Sequence, residues 1–539
     1  MHEKWPILAK KLALVMIKYT PASERTLSLF RTPYEQSLDP DNRWVRMAAV
    51  VPWDEMAKVF FVHMSADHGR ASIDLRIILG ALLVKHLEGI SDEDTIQYIQ
   101  ENVYAQYFVG LPSFQTRPVF SPTLFVEIRK RLGEMGVVHL NDLVLSQAKN
   151  LGAIKHSPKP APKAEEPADD PPSDSSSTEV PNDDVSTITP EKPDNRGTLK
   201  VDATVAPQHI GYPTDTRLLN DAREFSEQLI DELYYGTSCW TKKPRTYRRV
   251  ARKDYLAFAK KKGANKKAIR KATGKQLNYL RRNLNNIHRM LDELKAAQIA
   301  CPWRHYDWRR FWIIQELFRQ QEIMYKDRRR RVDDRIVNLA QPFVRPIKRG
   351  KAGKSTEFGA KINVSETEGF VRMDRIDFNN FNESTGLIEQ VEAYRLLYGY
   401  YPEVVLADQI YLTRKNRKYL KDNNIRNSGV PLGRKPILTK SEKEKRRKEQ
   451  NKRSHIEGKF GQAKSKYGMD DIKTRRQDTS YACIGLILLA LNVLKLGQEV
   501  FYSIFRAILS ITTLADKRLN GFLFHHSPLG GNQQSLVVQ

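Results

Sequence analysis

The chain has 539 residues, 89 of them Lys or Arg against 63 Asp or Glu, for a formal net charge of +26. That length allows two or three domains with a sizeable core, and the charge points to a polyanionic partner, most simply nucleic acid. Three scattered cysteines, Cys239, Cys301 and Cys483, with no C-x-x-C pair, exclude a disulfide framework and argue against a zinc finger.

Lys10 and Lys11 flank a short apolar run without a cleavage-type signal region. From Asp54 to about Gly133 the pattern is helical. Ile73, Ile77, Leu79, Ala81, Leu82 and Val84 predict one strongly apolar helix. Ser91 with Asp94 resembles a capping box that opens the next, and a third carries Arg129, Lys130 and Arg131. Residues 1–150 read as a separate all-α domain that either presents a helix to DNA or serves as a plain bundle or dimerisation unit. Residues 151–197, dense in Pro, Asp, Glu and Ser, read as an acidic disordered linker.

Thr198 to Val205 alternates and is β-branched, which predicts a strand with Asp202 inside it or at its end. From about 216 to 345 a helical block intervenes, very basic between Lys242 and Arg289. Its cations Arg248, Arg249, Lys260, Lys261, Arg281 and Arg282 are interleaved with Tyr247, Tyr255, Phe258 and Tyr279, a pattern suited to DNA backbone contact or to a solvated helical hairpin. Glu357 to Asp377 predicts a β-hairpin, Asn382 to Tyr398 a helix, and Pro402 to Asp408 a short apolar strand closing on an acid. Leu412 to Asn423 reads as a helix and Ser441 to Tyr467 as a long charged one. Two apolar runs, Cys483–Leu494 and Val500–Leu514, read as buried helices too short to span a membrane, and 516–539 as a flexible tail.

In the long charged helix, Arg453, Glu457 and Lys464 fall within roughly 40° of one another at about 100° per residue. Ile456, Phe460, Ala463 and Tyr467 form an apolar stripe beside them, so a carboxylate flanked by two cations sits at the rim of a buried face. Gly458 and Gly461 weaken this helix. Two strand acids and one helix acid on a mixed sheet can converge, and a few carboxylates suit a hard divalent cation. Asp215 is the nearest rival first acid, expected in a turn after Pro213. His209 and His455 are expected to hydrogen-bond, and Tyr411 and Arg414, close behind Asp408, are candidates to touch DNA.

The segments VDATV (201–205), ADQIYLTRKNRKYL (407–420) and KRSHIEGKFGQAKSKYG (452–468), in this order, resemble the DDE-type insertion-sequence transposases, in particular the InsH-like group. EFGAKI and DFNNFNE around the hairpin and FSPTLFVEIRKRLG in the N-terminal part also resemble that group. Gln450 stands where a sister group carries Tyr, three residues before Arg453. The resemblance implies an α/β, RNase H-like mixed sheet with helices, over 198–515, interrupted by the helical insertion. It implies Asp202, Asp408 and Glu457 as catalytic metal ligands for two divalent ions, Mg²⁺ or Mn²⁺. Arg453 and Lys464 are assigned to phosphate contact or to positioning Glu457. The implied activity is cleavage of element ends and strand transfer into target DNA, by a homodimer in the synaptic complex, in the nucleoid-associated cytoplasm of a prokaryote, with no membrane. The alternatives are an RNase H-like metal-dependent nuclease that does not join, and an inactive DNA-binding relic.

Overall fold

The computed structural model describes residues 19–32, 37–61, 73–155, 195–348, 356–433 and 439–523, with side chains to 502 in the last segment. Most of the linker expected at 151–197 and the end of the tail at 516–539 lie outside the described residues. The chain divides into two compact units.

The first unit comprises residues 1–122, 139–156 and 489–539. It takes in more than the expected N-terminal block, because the C-terminal helix belongs to it. Among the described residues five short helices lead: α1 (Arg43–Val50), α2 (Trp53–Phe61), α3 (Leu75–Glu88), α4 (Asp92–Glu101) and α5 (Val103–Phe108). Their ends follow from local chemistry. Asp74 caps α3 by accepting from the Arg76 N–H, and Gly89 closes it in the left-handed region at φ 67°. Ser91 caps α4 by accepting from the Asp94 N–H at 3.0 Å. Trp44, Trp53 and Phe108 meet at centroid distances of 4.9 and 5.2 Å, and the buried Arg76 guanidinium lies 4.9 Å from the Trp53 ring. The helix α6 (Leu124–Asn150) is broken at Gly133, and its second half joins this unit. There Asn141 receives a 2.7 Å hydrogen bond from the buried Asn492 amide, which ties the C-terminal helix in.

The second unit, residues 123–138 and 157–488, holds a six-stranded mixed sheet. Its strands are β1 (Thr198–Pro207), β2 (Arg345–Lys348), β3 (Thr356–Thr367), β4 (Phe370–Asp377), β5 (Val404–Leu406) and β6 (Arg426–Asn427). β3 runs antiparallel to β1 on one edge, and on the other it pairs antiparallel with β2 and β4. β1, β5 and β6 run parallel. The β3–β4 hairpin turns on Glu368 and Gly369, both at positive φ (49° and 90°), as a tight two-residue turn requires. At Gly359 an added Cβ would stand 2.0 Å from the Ala206 carbonyl, so only glycine lets β3 lie this close to β1.

Between β1 and β2 runs the helical block: α7 (Asp215–Tyr235), α8 (Arg248–Ala259), α9 (Lys266–Ala296) and α10 (His305–Lys326). α7, α9 and α10 share an apolar core that includes Leu219, Ile230, Leu280, Ile287, Met290 and Leu317. Apolar residues recurring every three or four positions leave the Lys and Arg outside. The sheet's remaining cover is α11 (Leu387–Tyr398), α12 (Arg414–Asp422), α13 (Lys440–Tyr467) and the start of α14 (Gln477–Leu523). The two apolar runs expected as separate helices are therefore one continuous helix. Its Gln477–Tyr502 part is, among the described residues, the one helix long and apolar enough to cross a membrane. Of its most apolar window, 72% is buried inside the protein.

Candidate active site

Parallel pairing brings two of the acids level. β1 and β5 pair Thr198 with Val404 and Lys200 with Leu406, partners 206 residues apart. Asp408 follows Asp202 by the same interval, so the register sets the two acids level: Asp408 lies just past the carboxyl end of β5, beside Asp202 in the middle of the longer β1. Asp202 Oδ1 accepts from the Ala203 N–H at 2.8 Å, and Asp408 Oδ1 accepts from the Gln409 N–H at 2.6 Å, at the start of a short 3₁₀ turn.

The third acid arrives on α13, which packs across β1 and β5. Thr439 and Glu442 form a capping box at its start, and Gly468 ends it in the left-handed region. The stripe of Ile456, Phe460 and Ala463 is buried, which turns Arg453, Glu457 and Lys464 toward the strand ends. The Arg453 guanidinium lies 3.9 Å from Asp202 Oδ2 and 3.6 Å from Glu457 Oε1. An ion pair of Arg426 with Glu449 ties β6 to the same helix.

Asp202, Asp408 and Glu457 line one cleft of about 560 Å³ with Arg453 and Lys464. Its other charged walls are Lys348, Lys361 and Glu383, none of which was singled out from the sequence. Glu383 opens a 3₁₀ turn, Glu383–Gly386, just before α11, and its carboxylate meets the Lys361 ammonium at 2.9 Å. In sequence it reads as an ordinary first-turn acid behind an Asn cap. Only the antiparallel course of β3 carries Lys361 to it.

Burial pushes the Asp202 carboxyl up to about 6. The Ala203 N–H and Arg453 pull it down, while Glu383 and Glu457 push it further up. The four acids and four cations of the cleft balance formally. Among the described residues no three His, Cys, Asp or Glu side chains are grouped tightly enough to hold a metal ion as they stand. The donor chemistry nonetheless fits a hard divalent cation: every acid offers only carboxylate oxygens, and Asp202 is a largely desolvated carboxylate with a single cation nearby at 3.9 Å.

The other sequence candidates lie apart from this cleft. Asp215 is not in a turn but opens α7, where it binds Arg335 at 2.7 Å and Gln321 at 3.0 Å. His209 pairs with Asp471 at 2.7 Å, and His455 is exposed on α13. Tyr411 is fully buried, with its hydroxyl 3.3 Å from Asn363 Oδ1, so the expectation that it touches DNA fails: its ring fills the floor beneath Asp408. Arg414 is exposed. In the helical block, Arg248 makes a two-pronged pair with Asp231 and Arg281 binds Glu322, so both are engaged within the protein. Arg249, Lys260 and Lys261 are exposed, and Arg282 lies 4.4 Å from the Tyr247 ring.

Comparison with known proteins follows the same blocks. Residues 32–131 match a family described as Transposase domain (DUF772), and residues 405–495 match the Transposase DDE domain. The second match includes Asp408 and Glu457, while Asp202 and Glu383 precede it. An uncharacterized protein, ORF8 in the nfe locus of Rhizobium meliloti, is 26% identical over 190 residues, which cover 35% of this chain and 73% of that protein. No solved structure matches the chain. Two segments similar to transposase domains, the second of them a DDE domain, thus stand in this order on one chain.

Proposed function

We infer that the chain cleaves DNA at the ends of a mobile element and joins the freed ends to a target, as an insertion-sequence transposase of the InsH-like kind. The observation that carries this reading is the single cleft in which Asp202 and Asp408, level on parallel strands, share walls with Glu457, Arg453 and Lys464. The strand order, with the antiparallel β3 on one side of β1 and the parallel β5 and β6 on the other, supports an RNase H-like core.

Asp202, Asp408 and Glu457 would hold the divalent cations, Mg²⁺ or Mn²⁺. Such ions supply Lewis acidity at a phosphodiester and ease deprotonation of the attacking group. The protein's own part is positioning. β1 and β5 fix two carboxylates on rigid backbone, and α13 brings the third against them. Arg453, at the rim between Asp202 and Glu457, is placed to orient Glu457 and to meet a phosphate, and Lys464, lining the same cleft, to meet the next one. The N-terminal helices and the exposed cations of α8 and α9 would hold the element ends through the phosphate backbone. Joining two ends to one target calls for two copies, hence a homodimer in the synaptic complex, acting in the nucleoid-associated cytoplasm.

Strand cleavage of a duplex carrying the element's flanking repeats, in Mg²⁺, tests the reading. Glu457→Gln is expected to lower cleavage at least about a hundredfold, more than loss of an outer-shell partner costs, with duplex binding retained. Equal cleavage by both proteins would overturn the acid set. Cleavage without joined product would favour a nuclease of the same fold.

A further inference from the structure

The turn that carries Glu383 is fixed more firmly than a cleft rim needs. The Glu383 carbonyl accepts from Asn363 Nδ2 at 3.3 Å, and the Ser384 carbonyl accepts from Asn416 Nδ2 at 2.7 Å. Both amide side chains are buried, Asn363 at 0% exposure and Asn416 at 3%. Asn416 also donates to the Tyr411 carbonyl at 2.7 Å, and the Tyr411 hydroxyl reaches Asn363. From the other side the Asn382 carboxamide oxygen accepts from the Ser384 N–H at 3.1 Å and its hydroxyl at 3.0 Å. This network joins β3, the Glu383 turn and the 3₁₀ turn that begins at Asp408. Glu383 and Asp408 therefore stand on one hydrogen-bonded floor.

The Glu383 side chain leaves that floor for the cleft, 22% exposed, and its ion-pair partner is Lys361. Lys361 does not depend on it. The same ammonium reaches the Phe381 carbonyl at 2.9 Å and Asn380 Oδ1 at 3.3 Å, so two acceptors remain if the carboxylate turns away. A carboxylate in the same cleft as three others adds repulsion, visible in its upward push on Asp202, and a fold that only needed an ion pair gains nothing from it.

We propose that Glu383 is a fourth oxygen donor of this cleft and that Lys361 is the internal counter-ion it exchanges for a divalent cation. This rests on the reading of the cleft as a metal site. Mg²⁺ and Mn²⁺ both accept further carboxylate oxygen, and Lys361 then keeps its two other acceptors, the Phe381 carbonyl and Asn380 Oδ1.

The test is Mn²⁺ titration of the full-length protein, followed by the electron paramagnetic resonance of free Mn²⁺. It compares wild type with Glu383→Gln, Lys361→Met and Asp202→Asn. Glu383→Gln is expected to weaken binding by roughly tenfold or more. Lys361→Met is expected to tighten it several-fold, because the competing cation is gone. A Glu383→Gln isotherm that superimposes on wild type, while Asp202→Asn shifts, overturns the fourth donor and leaves the functional reading standing. Isotherms that superimpose for both variants overturn the two together. Should Glu383→Gln fail to fold, unchanged or weaker binding by Lys361→Met overturns the exchange.

Discussion

Asp202 shows what a desolvated carboxylate costs a fold. It sits on a buried strand with 17% of its side chain exposed, and Arg453 approaches it only to 3.9 Å. Its folded value of about 6 lies above the ordinary 3.8, so the folded state binds the proton more tightly than the unfolded one. The stability this gives is complete below about pH 4 and is lost as pH rises through about 6. At about two units, the difference amounts to up to about 3 kcal/mol. With a chelator present, Asp202→Asn is therefore expected to melt higher than wild type near pH 8, the gap closing near pH 4. A gap that does not change with pH would remove the desolvated charge as its cause. Asp374 makes the contrast: also buried, with its carboxyl pushed up, it is bound by Arg372 at 2.8 Å and Gln390 at 2.8 Å and serves the β4–α11 junction.

Among the elements, α13 combines a strict apolar stripe with two interior glycines. At Gly458 an added Cβ would meet nothing within 4 Å, so no contact in the protein requires glycine there. Gly458→Ala is expected to raise stability by about 1 kcal/mol, read as an upward shift of the urea midpoint with unchanged slope. A fall in stability would mean that the helix bends at that point. α14 shows the reverse relation between pattern and structure. Lys495 interrupts the apolar run and suggests a break between two helices. In the fold it pairs with Glu499 one turn on, so the charge is satisfied and the helix continues. The turn at Glu368–Gly369 behaves as its residues dictate, since two successive positive φ values favour a hairpin whose strands then follow their own alternation.

For the whole molecule, the proposed function makes charge the property that decides how DNA would be met. The excess of 26 positive charges is spread over many exposed Lys and Arg, including Arg249, Lys260 and Lys261 on the helical block. Affinity for a duplex of arbitrary sequence is expected to fall roughly a thousandfold between about 50 and about 200 mM monovalent salt, as for six or more phosphate contacts. A shallow slope in a fluorescence anisotropy titration would confine DNA contact to the cleft. Arg248 and Arg281 show why a run of cations overstates such a surface: each is held by a carboxylate of the same block, an alternative the run itself does not reveal.

Periodicity and local chemistry were enough to place most elements: the cap of α4, the alternating β1, the β3–β4 hairpin, and the stripe of α13 that sets Glu457 beside Arg453. These are short-range properties, fixed by side-chain geometry along one segment. Asp202, Asp408 and Glu457 were legible as three acids in sequence order. Their meeting in one cleft depends on the β1–β5 register and on α13 lying across both strands. Glu383 and Lys361 had no local signal, and Tyr411 carried a misleading one. Their positions follow from antiparallel pairing and from a floor of buried amides that joins segments far apart in the chain. Only tertiary structure decides which side of such a floor a side chain takes, because burial and hydrogen-bond satisfaction are settled by every element packed there at once.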